Sequence, residues 1–406
     1  MKKIYGMIFA AIVFAAAPNY LCASPSFSGS ISGSAGLDFD FPTDGSNIGF
    51  KVPLAGVAAV QANLANWCVA RGEIALDATN FEFDDIFGSA QSSLKLNELS
   101  LVLIRRAVTA SSFFSVFLGS YEQVGSDVFL MRQFGIEPIS SDLAKSASLL
   151  GGVPILSTKG AGLSYIVNFD KAPIATGGYI YFGKNKNKDW TLNFDARFSF
   201  VSNLATIDLL AGIGSPLQDS YNDQDVVLMI DTITLHGGMN FLLGSSYTHS
   251  LLLQAGIKDV AVKGNGAGQF SGDMLNLLIE PRINFNKFRF NLTVYSYDSD
   301  SVKDLMFLEN EFGAAVTFCK DDFETKNGFV KAGIHAIGAF GGNTLYDFVK
   351  SGDESGVTYN AYITPYAEFP VSPTARFEIM AQLGVCDISG SPRANFKFMA
   401  SAKKTF

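Results

Sequence analysis

Apolar and polar side chains alternate, residue by residue, along most of this chain. Between Trp190 and Phe200 the even-numbered positions hold only Trp, Leu, Phe and Ala, whereas the odd-numbered positions are Thr191, Asn193, Asp195, Arg197 and Ser199. Successive side chains of a β-strand point to opposite faces, so the alternation predicts strands with one apolar and one polar face. We find no comparable helical periodicity after residue 23, and we therefore predict an all-β fold.

The length of these segments indicates where the strands lie. Many of them run for 9–12 residues, whereas strands of soluble proteins centre near about 5–6 residues and a tilted strand that crosses a bilayer needs about 9–11. Mean hydropathy is +0.21 and only 17% of the residues are charged. A bilayer leaves open backbone groups unsatisfied, so such strands must close on themselves. The pattern predicts a transmembrane antiparallel up-and-down β-barrel, with a soluble secreted β protein as the alternative.

Eighteen segments are candidate strands, and sixteen is the alternative because the pattern within 94–119 is weak. An even number places both chain ends on the periplasmic side. The candidates lie near 26–41, 48–61, 67–77, 94–104, 113–119, 161–169, 178–184, 190–200, 204–213, 228–243, 250–258, 275–285, 288–296, 307–318, 328–340, 359–369, 375–386 and 394–406.

The connections between candidate strands support this orientation. Outer-membrane barrels pair short periplasmic turns with longer extracellular loops. Counting back from a periplasmic C-terminus puts the short connections 286–287, 319–327 and 370–374 inside. The longer polar connections then fall outside, at 259–273, 297–306, 341–358 and 387–393.

One predicted extracellular loop, at about 120–160, is longer and less polar than the others. It carries apolar residues such as Phe129, Leu130 and Ile136. A loop of this kind either folds into the lumen and narrows it or forms an ordered cap above the barrel. The sequence does not choose between these two places.

The first residues are typical of a secretory signal. Lys2 and Lys3 precede an apolar stretch at 4–17 that is too short for a comfortable membrane span. We predict cleavage after Ala23, which leaves 24–406 as the barrel. The alternatives are an uncleaved anchor helix and lipidation at Cys22, and in each case the protein leaves the cytoplasm.

Charged residues on the predicted polar faces are candidates for lining the lumen, because charges facing lipid are costly. They would form salt-bridged pairs that stiffen the wall, set a transverse field in a water-filled pore, or do both. Because both signs are present, we expect mild ion selectivity. The selectivity candidates are Asp195, Arg197, Glu280, Arg282, Arg289, Glu309, Glu311, Lys331, Arg376 and Glu378.

The sequence offers no catalytic, metal-binding or cofactor-binding motif. His236 and His335 fall on polar faces and His249 falls in a turn, so we interpret them as structural. The cysteines lack metal-binding spacing, and we expect them to be unpaired. The net charge of −8, which becomes −10 without Lys2 and Lys3, argues against a nucleic-acid partner.

The C-terminal segment ends in Phe406 after the alternating apolar residues Phe398, Ala400 and Ala402. It resembles the C-terminal signal strand of bacterial outer-membrane proteins of the porin type, although Lys404 stands where an apolar residue is usual. The resemblance implies recognition by the barrel assembly machinery and a partner in outer-membrane lipid. The low Trp content and Gly-Ser-rich strands resemble spirochaetal outer-membrane proteins in particular.

These observations favour an outer-membrane porin for passive diffusion of small hydrophilic solutes or ions, which could assemble as a homo-oligomer. A barrel of 16–18 strands leaves an aqueous channel. One alternative is an adhesin or structural barrel with a closed lumen that acts through its surface loops. A second is a fatty-acid-type transporter, although the polar lumen and the absence of a segment before the first strand argue against it.

Overall fold

A computed structural model describes most of the chain from residue 26 to residue 406. The signal predicted at 1–23 lies outside the described residues. The described residues are 26–41, 49–78, 92–136, 139–147, 155–156, 158–184, 190–217, 220–221, 224–225, 232–245, 249–263, 268–285, 287–298, 301–302, 305, 307–308, 310–325, 328–341, 345–346, 349, 358–387 and 394–406.

Eighteen long strands form one closed wall, as the alternation predicts. The first nine are β1 Ser26–Phe41, β2 Leu54–Ala65, β3 Cys68–Ala78, β4 Ser92–Arg106, β5 Ala110–Ser120, β6 Lys159–Phe169, β7 Ile174–Lys184, β8 Trp190–Val201 and β9 Ala205–Pro216. The other nine are β10 Thr232–Gly244, β11 Ser250–Lys263, β12 Leu275–Phe285, β13 Phe288–Ser296, β14 Phe312–Thr325, β15 Gly328–Gly341, β16 Thr358–Ser372, β17 Ala375–Asp387 and β18 Ala394–Thr405.

Each strand pairs antiparallel with its neighbours along the chain, and the first strand pairs with the last. The β1–β18 ladder runs without a break from Ser30 opposite Thr405 to Phe41 opposite Ala394. This seam closes the sheet, so the predicted up-and-down barrel is confirmed at eighteen strands. Short strands at Gly49–Lys51 and Gly268–Gln269 extend the wall beside β1 and β11, and Ser220–Tyr221 pairs with Gln224–Asp225 apart from it.

The connections at one end of the wall have two to five residues, and those at the other end are longer except for 185–189, which also has five. The short ones are 66–67, 107–109, 170–173, 202–204, 245–249, 286–287, 326–327 and 373–374. The longer ones are 42–53, 79–91, 121–158, 185–189, 217–231, 264–274, 297–311, 342–357 and 388–393. All short turns therefore lie at one end of the barrel, together with the start of β1 and the end of β18.

Two prolines interrupt the strand pairing without shifting it. The sequence predicts bulges at Pro281 and Pro365, because proline cannot donate a hydrogen bond to the ladder. The registers of β11–β12 and β15–β16 run straight through these positions. On the other side of each proline, the ladder skips a few pairs and resumes in the same register. The prediction of bulges at these prolines is therefore wrong. Each proline removes a few residue pairs from the ladder but does not shift its register.

The connection between β5 and β6 contains two short helices, α1 Val128–Phe134 and α2 Asp142–Ala147. A single-turn 3₁₀ helix, Gly272–Met274, precedes β12. These helices leave no helical periodicity in the sequence, because elements of 7 and 6 residues are too short to show it. Among the described residues, no helix is long and apolar enough to cross a membrane.

The outer face of the wall is apolar and accessible. On β8, Trp190 is 55% exposed, Phe194 46% and Phe198 42%. Trp67 lies in a short turn at one end of the barrel and Trp190 begins its strand at the other. Aromatic residues at both ends of an apolar belt are typical of barrels that sit in a membrane.

Candidate functional site

The inner face of the wall is polar, and along β8 it is also buried. Its side chains are only 0–7% exposed, the reverse of the outer face of the same strand. These inward residues are the odd-numbered ones of the alternation: Thr191, Asn193, Asp195, Arg197 and Ser199. Buried polar groups need partners, so something must cover this wall from the inside.

The described part of 121–158, here called the inner segment, provides that cover. It leaves β5 at Tyr121, whose N–H donates to the carbonyl of Thr158 at 2.8 Å. Val124 and Leu156 form a bridge just beyond this neck. Apolar side chains of the segment, including Phe129 and Leu130, pack into one cluster with inward residues from strands around the wall.

Asp127 holds the start of α1 in place. It adopts a left-handed backbone conformation with φ of 61°, which is unusual for a residue with a side chain. Its carboxylate accepts a hydrogen bond from the N–H of Ser140 at 2.7 Å and from the amide of Asn240 on β10 at 3.4 Å. One side chain therefore joins two parts of the inner segment to the wall.

Arg197 on β8 is the largest fully buried side chain of the inner wall. Its guanidinium makes a two-pronged pair with Asp208 of β9, at 2.8 and 2.6 Å. It also donates to the carbonyl of Glu122 and lies over the ring of Phe129, 3.9 Å from the centroid. Arg197 therefore binds both the neighbouring strand of the wall and the inner segment.

Arg132, at the end of α1, lies between two carboxylates. It pairs with Glu98 of β4 at 2.8 Å and lies 3.6 Å from Glu122. Burial alone would lower the pKa of Arg132, but the two carboxylates outweigh this effect and raise it above that of a free guanidinium. Tyr179 of β7 donates to Glu122 at 3.1 Å, which completes the set.

A second anchoring cluster surrounds Glu280 on β12. This carboxylate is fully buried and accepts from Arg282 at 2.7 Å, from Thr293 at 2.6 Å and from Ser141 of the inner segment. Arg282 in turn donates to the carbonyl of Ile139 at 2.9 Å. The wall pair is therefore fixed to the chain just before α2.

Asp142, the first residue of α2, binds two cations of the opposite wall. Arg289 of β13 pairs with it at 2.9 Å and Lys331 of β15 at 3.1 Å. The three charges are half-buried or nearly buried, so screening by water is weaker than at a free surface. The inner segment is thus held by ion pairs from β4 round to β15.

Asp195 and His236 form a pair that spans a strand. Asp195 on β8 and His236 on β10 both lie opposite Gly212 of β9, and their side chains meet at 2.7 Å. A Cβ at Gly212 would overlap both of them, so glycine is what lets the pair form. Both residues are buried in the wall, which favours a structural role.

A second segment, in 297–311, also folds against the inner wall. The N–H of Asp298 donates to Asn276 at 2.8 Å, and its carboxylate pairs with Lys258 at 2.7 Å. Burial raises the pKa of Asp298, but Lys258 and hydrogen bonds from Ser301 outweigh it and lower that pKa to about 2. Gln382 of β17 donates to the carbonyl of Phe307 at 2.9 Å.

The remaining predicted lumen residues are less enclosed. Glu311 is half-buried just before β14, and Glu309 lies outside the described residues. Arg376 is exposed near a short turn and pairs with Glu368, whereas Glu378 is half-buried and accepts from Ser401 at 3.4 Å. The predicted set therefore divides into buried anchors of the inner segment and residues near the openings.

The residues of the predicted assembly signal lie on the outer face of the closing strand. Phe398 and Ala400 are half-buried there, and Ala402 and Phe406 are exposed. Phe406 exchanges two backbone hydrogen bonds of 3.0 Å with Gly29 of β1. A Cβ at Gly29 would overlap the Phe406 ring, so this glycine leaves room for the last aromatic.

Sequence reasoning missed the acidic partners of this network. Asp208 lies opposite Ser199 across the short turn 202–204, so pairing β8 with β9 would have placed it beside Arg197. Glu98 and Asp142 gave no such signal, because their partners come from distant parts of the chain. No group of His, Cys, Asp or Glu in the described part of the chain could hold a metal ion, and Cys68 and Cys319 are free thiols.

A closed barrel with an apolar outer belt and a polar interior is a transmembrane barrel of the outer-membrane type. Barrels of this size and character occur in the outer membrane, and that is the location of this chain.

The chain is similar to solved structures of outer-membrane proteins. The outer membrane protein OpdK from Pseudomonas aeruginosa aligns at a TM-score of 0.50 and 7% identity, over 94% of this chain and 99% of that chain. OccAB4 from Acinetobacter baumannii aligns at 0.47 and 10%, over 94% and 98%. OmpF from Salmonella typhi, in complex with daunomycin, aligns at 0.45 and 9%, over 94% and 97%. No family model and no curated protein matches the sequence.

Proposed function

We propose that this protein is an outer-membrane channel for passive diffusion of small hydrophilic solutes, narrowed by its inner segment. The observation that supports this most is the wall itself. Eighteen strands enclose a lumen wide enough for an aqueous channel, and the part of its lining that the inner segment does not cover carries the serines of β1. The inner segment fills only part of that width, because the inner faces of β1 and β2 are half-exposed.

In this proposal the buried charges act on transport indirectly. Arg197, Glu280 and Arg289 hold the inner segment against the wall, and the segment sets the width of the opening. Direct selectivity then falls to charged residues that water can reach. Catalysis has no part in the proposal, because the buried Asp195–His236 pair serves the wall.

Single-channel conductance of the refolded protein in a planar bilayer tests this function. We expect stable open steps from the whole chain and larger steps from a variant in which 127–147 is replaced by a short Gly-Ser linker. A matched control shortens the connection 264–267 and should leave conductance unchanged. Heat-modifiable migration on gels verifies that each variant is a folded barrel.

A second candidate has its own supporting observation. The inner wall from β8 to β14 is closed off so completely that the barrel could act through its long loops, as an adhesin or a structural protein. Absence of conductance steps from protein shown to be folded and inserted would favour this candidate and overturn the channel. The polar inner wall argues against a transporter for hydrophobic substrates such as fatty acids.

A further inference from the structure

The inner wall of the barrel is covered on one side and accessible on the other. On the covered side, Ser199 of β8 is 0% exposed, Asn240 of β10 0% and Thr317 of β14 1%. On the other side, Ser30, Ser32 and Ser34 of β1 are half-exposed although they also point inward. Residues of the same polar type are thus buried by protein on one wall and partly accessible on the other.

The position of the inner segment explains this contrast. Its polar anchors lie on strands from β4 round to β15, through residues such as Glu98, Arg197, Glu280 and Lys331. The segment therefore rests against one part of the circumference. The partly accessible inner wall lies along β1 and β2, next to the seam with β18.

On this side the inward residues of β1 are hydroxylic, and those of β2 are apolar or carry an amide. Five consecutive inward positions of β1 are serine, namely Ser26, Ser28, Ser30, Ser32 and Ser34. The facing positions of β2 are Ala55, Val57, Ala59, Gln61 and Asn63. Serine extends only one heavy atom beyond Cβ, so this wall reduces the bore less than any other polar lining would.

A continuous chain of hydrogen bonds runs along the open side toward the short-turn end. Arg71 of β3 donates to Gln61 at 2.9 Å, and Gln61 donates to Asn63 at 3.1 Å. Asn63 then donates to Ser26 at 2.9 Å. Hydroxyl and amide groups of this kind both donate and accept, so a passing solute can exchange its water for them.

Charges of both signs lie beside this path. Lys95 pairs with Asp77 at 3.3 Å, and both side chains are partly exposed, at 45% and 38%. Asn97 donates to Glu73 at 2.9 Å. Arg71 and Glu73, also of opposite sign, lie two residues apart on the same face of β3. Because charges of opposite sign lie close together here, the net field across the opening is small, so neither cations nor anions are strongly favoured.

We propose that solutes cross the barrel along an off-centre, serine-lined path between the inner segment and strands β1 and β2, and that this path favours uncharged, hydroxyl-rich molecules. This inference rests on the proposed channel function and specifies its route and solute class. It assigns contact with the solute to Ser30, Ser32 and Ser34, and leaves the buried polar residues of the opposite wall out of contact.

Thiol modification of single serines tests the route. In a background with Cys68, Cys319 and Cys386 changed to Ala, one variant carries Ser32→Cys and its matched control carries Ser199→Cys. A charged methanethiosulfonate reagent is added to open channels in a planar bilayer. We expect the conductance of the Ser32→Cys channel to fall at least about twofold and that of the Ser199→Cys channel to stay unchanged. Ile31→Cys, on the outer face, is a second control and should not respond.

The outcomes separate the route from the function. Absence of open steps from all folded variants before reagent is added would overturn the channel itself. Open steps that respond at Ser199 and not at Ser32, or at both equally, would overturn the route while leaving the channel intact.

Swelling of proteoliposomes tests the solute class in the same preparation. We expect neutral arabinose to enter at least about threefold faster than gluconate or protonated glucosamine. The charges beside the path already lie near charges of opposite sign, so they do not compensate a charged solute for the water that it loses. Faster entry of either charged solute would overturn the preference for uncharged molecules.

Discussion

Adjacent residues of β1 point to opposite faces of the barrel wall, one toward lipid and one toward the lumen. Lysine substitutions at the two positions should therefore differ in their effect on the free energy of unfolding. Ala35 points outward and is exposed, whereas its neighbour Ser34 points inward and is half-exposed. Both side chains are small, so a lysine at either position adds nearly the same volume. Lysine at Ala35 would place its charge in the hydrocarbon layer, and lysine at Ser34 would place it in the water-filled part of the lumen.

The expected cost follows from the height of Ala35 in the wall. Ala35 lies opposite Ala400, six residues before Phe406 at the end of the barrel. With a rise of about 3.4 Å per residue and a strand tilt of about 40°, this is roughly 16 Å above Phe406, near the middle of an apolar band about 25 Å tall. A lysine at the midplane costs about 2–4 kcal/mol, which lowers the folding equilibrium constant by roughly 30- to 1000-fold. For Ser34→Lys we expect a change within about 0.5 kcal/mol.

Reversible urea unfolding in lipid vesicles measures both free energies of unfolding. Ala35→Leu is the control for added volume on the outer face and should be neutral or slightly stabilising, because it adds apolar area against lipid. Equal losses for the two lysine variants would refute the assignment of faces. A larger loss at Ser34 than at Ala35 would mean that the inner face of β1 is packed, and would also remove the open side of the lumen.

Three further predictions follow from single contacts. Arg197→Leu leaves Asp208 buried and unpaired, so we expect a loss of about 3–5 kcal/mol in urea unfolding, with much of it recovered when Asp208 is also changed to Leu; a loss under about 1 kcal/mol contradicts the pairing. Deleting Phe406 removes hydrogen bonds from the seam and should lower the yield of heat-modifiable barrel in cells, whereas an unchanged yield argues against its role in assembly. The pKa of Asp298 is lowered to about 2, so its pair with Lys258 contributes fully above about pH 4 and is lost only as the pH falls toward 2; protease sensitivity of this loop should be constant from pH 7 to 5, and a change in that interval contradicts the assignment.

The barrel could be predicted from the sequence because its rules are local. The side chains of Trp190 and Thr191 differ in polarity because the two faces of one strand meet different surroundings, and this difference repeats every second residue. Turn length is also local, so the alternation of short and long connections could be followed from one end of the chain. Both signals are independent of distant contacts, which is why the strand number and closure agree with the prediction.

The role of the inner charges could not be predicted because it depends on distant contacts. Arg289 and Lys331 follow the same alternation as any lumen residue, yet each is bound to Asp142, from a different part of the chain. The helices α1 and α2 are too short to leave a periodic trace. The pair of Arg197 with Asp208 was within reach of the sequence, because a short turn fixes the register of β8 against β9. The pair of Glu280 with Arg282 was too, because the two residues lie on the same face of one strand.

Ser32 and Ser199 show why polarity alone does not define a lumen. Both are serines at inward positions of long strands, and the sequence pattern does not distinguish them. Ser199 donates to Asp208 at 2.6 Å and is fully buried, whereas Ser32 is partly accessible. An inward polar residue is therefore either a structural group with protein partners or a site that a solute can touch, and the difference is set by whether another segment covers it. In this barrel the inner segment decides which inward residues are covered. A mutation that releases the segment should therefore expose the covered wall and widen the bore, with a smaller effect on the wall along β1.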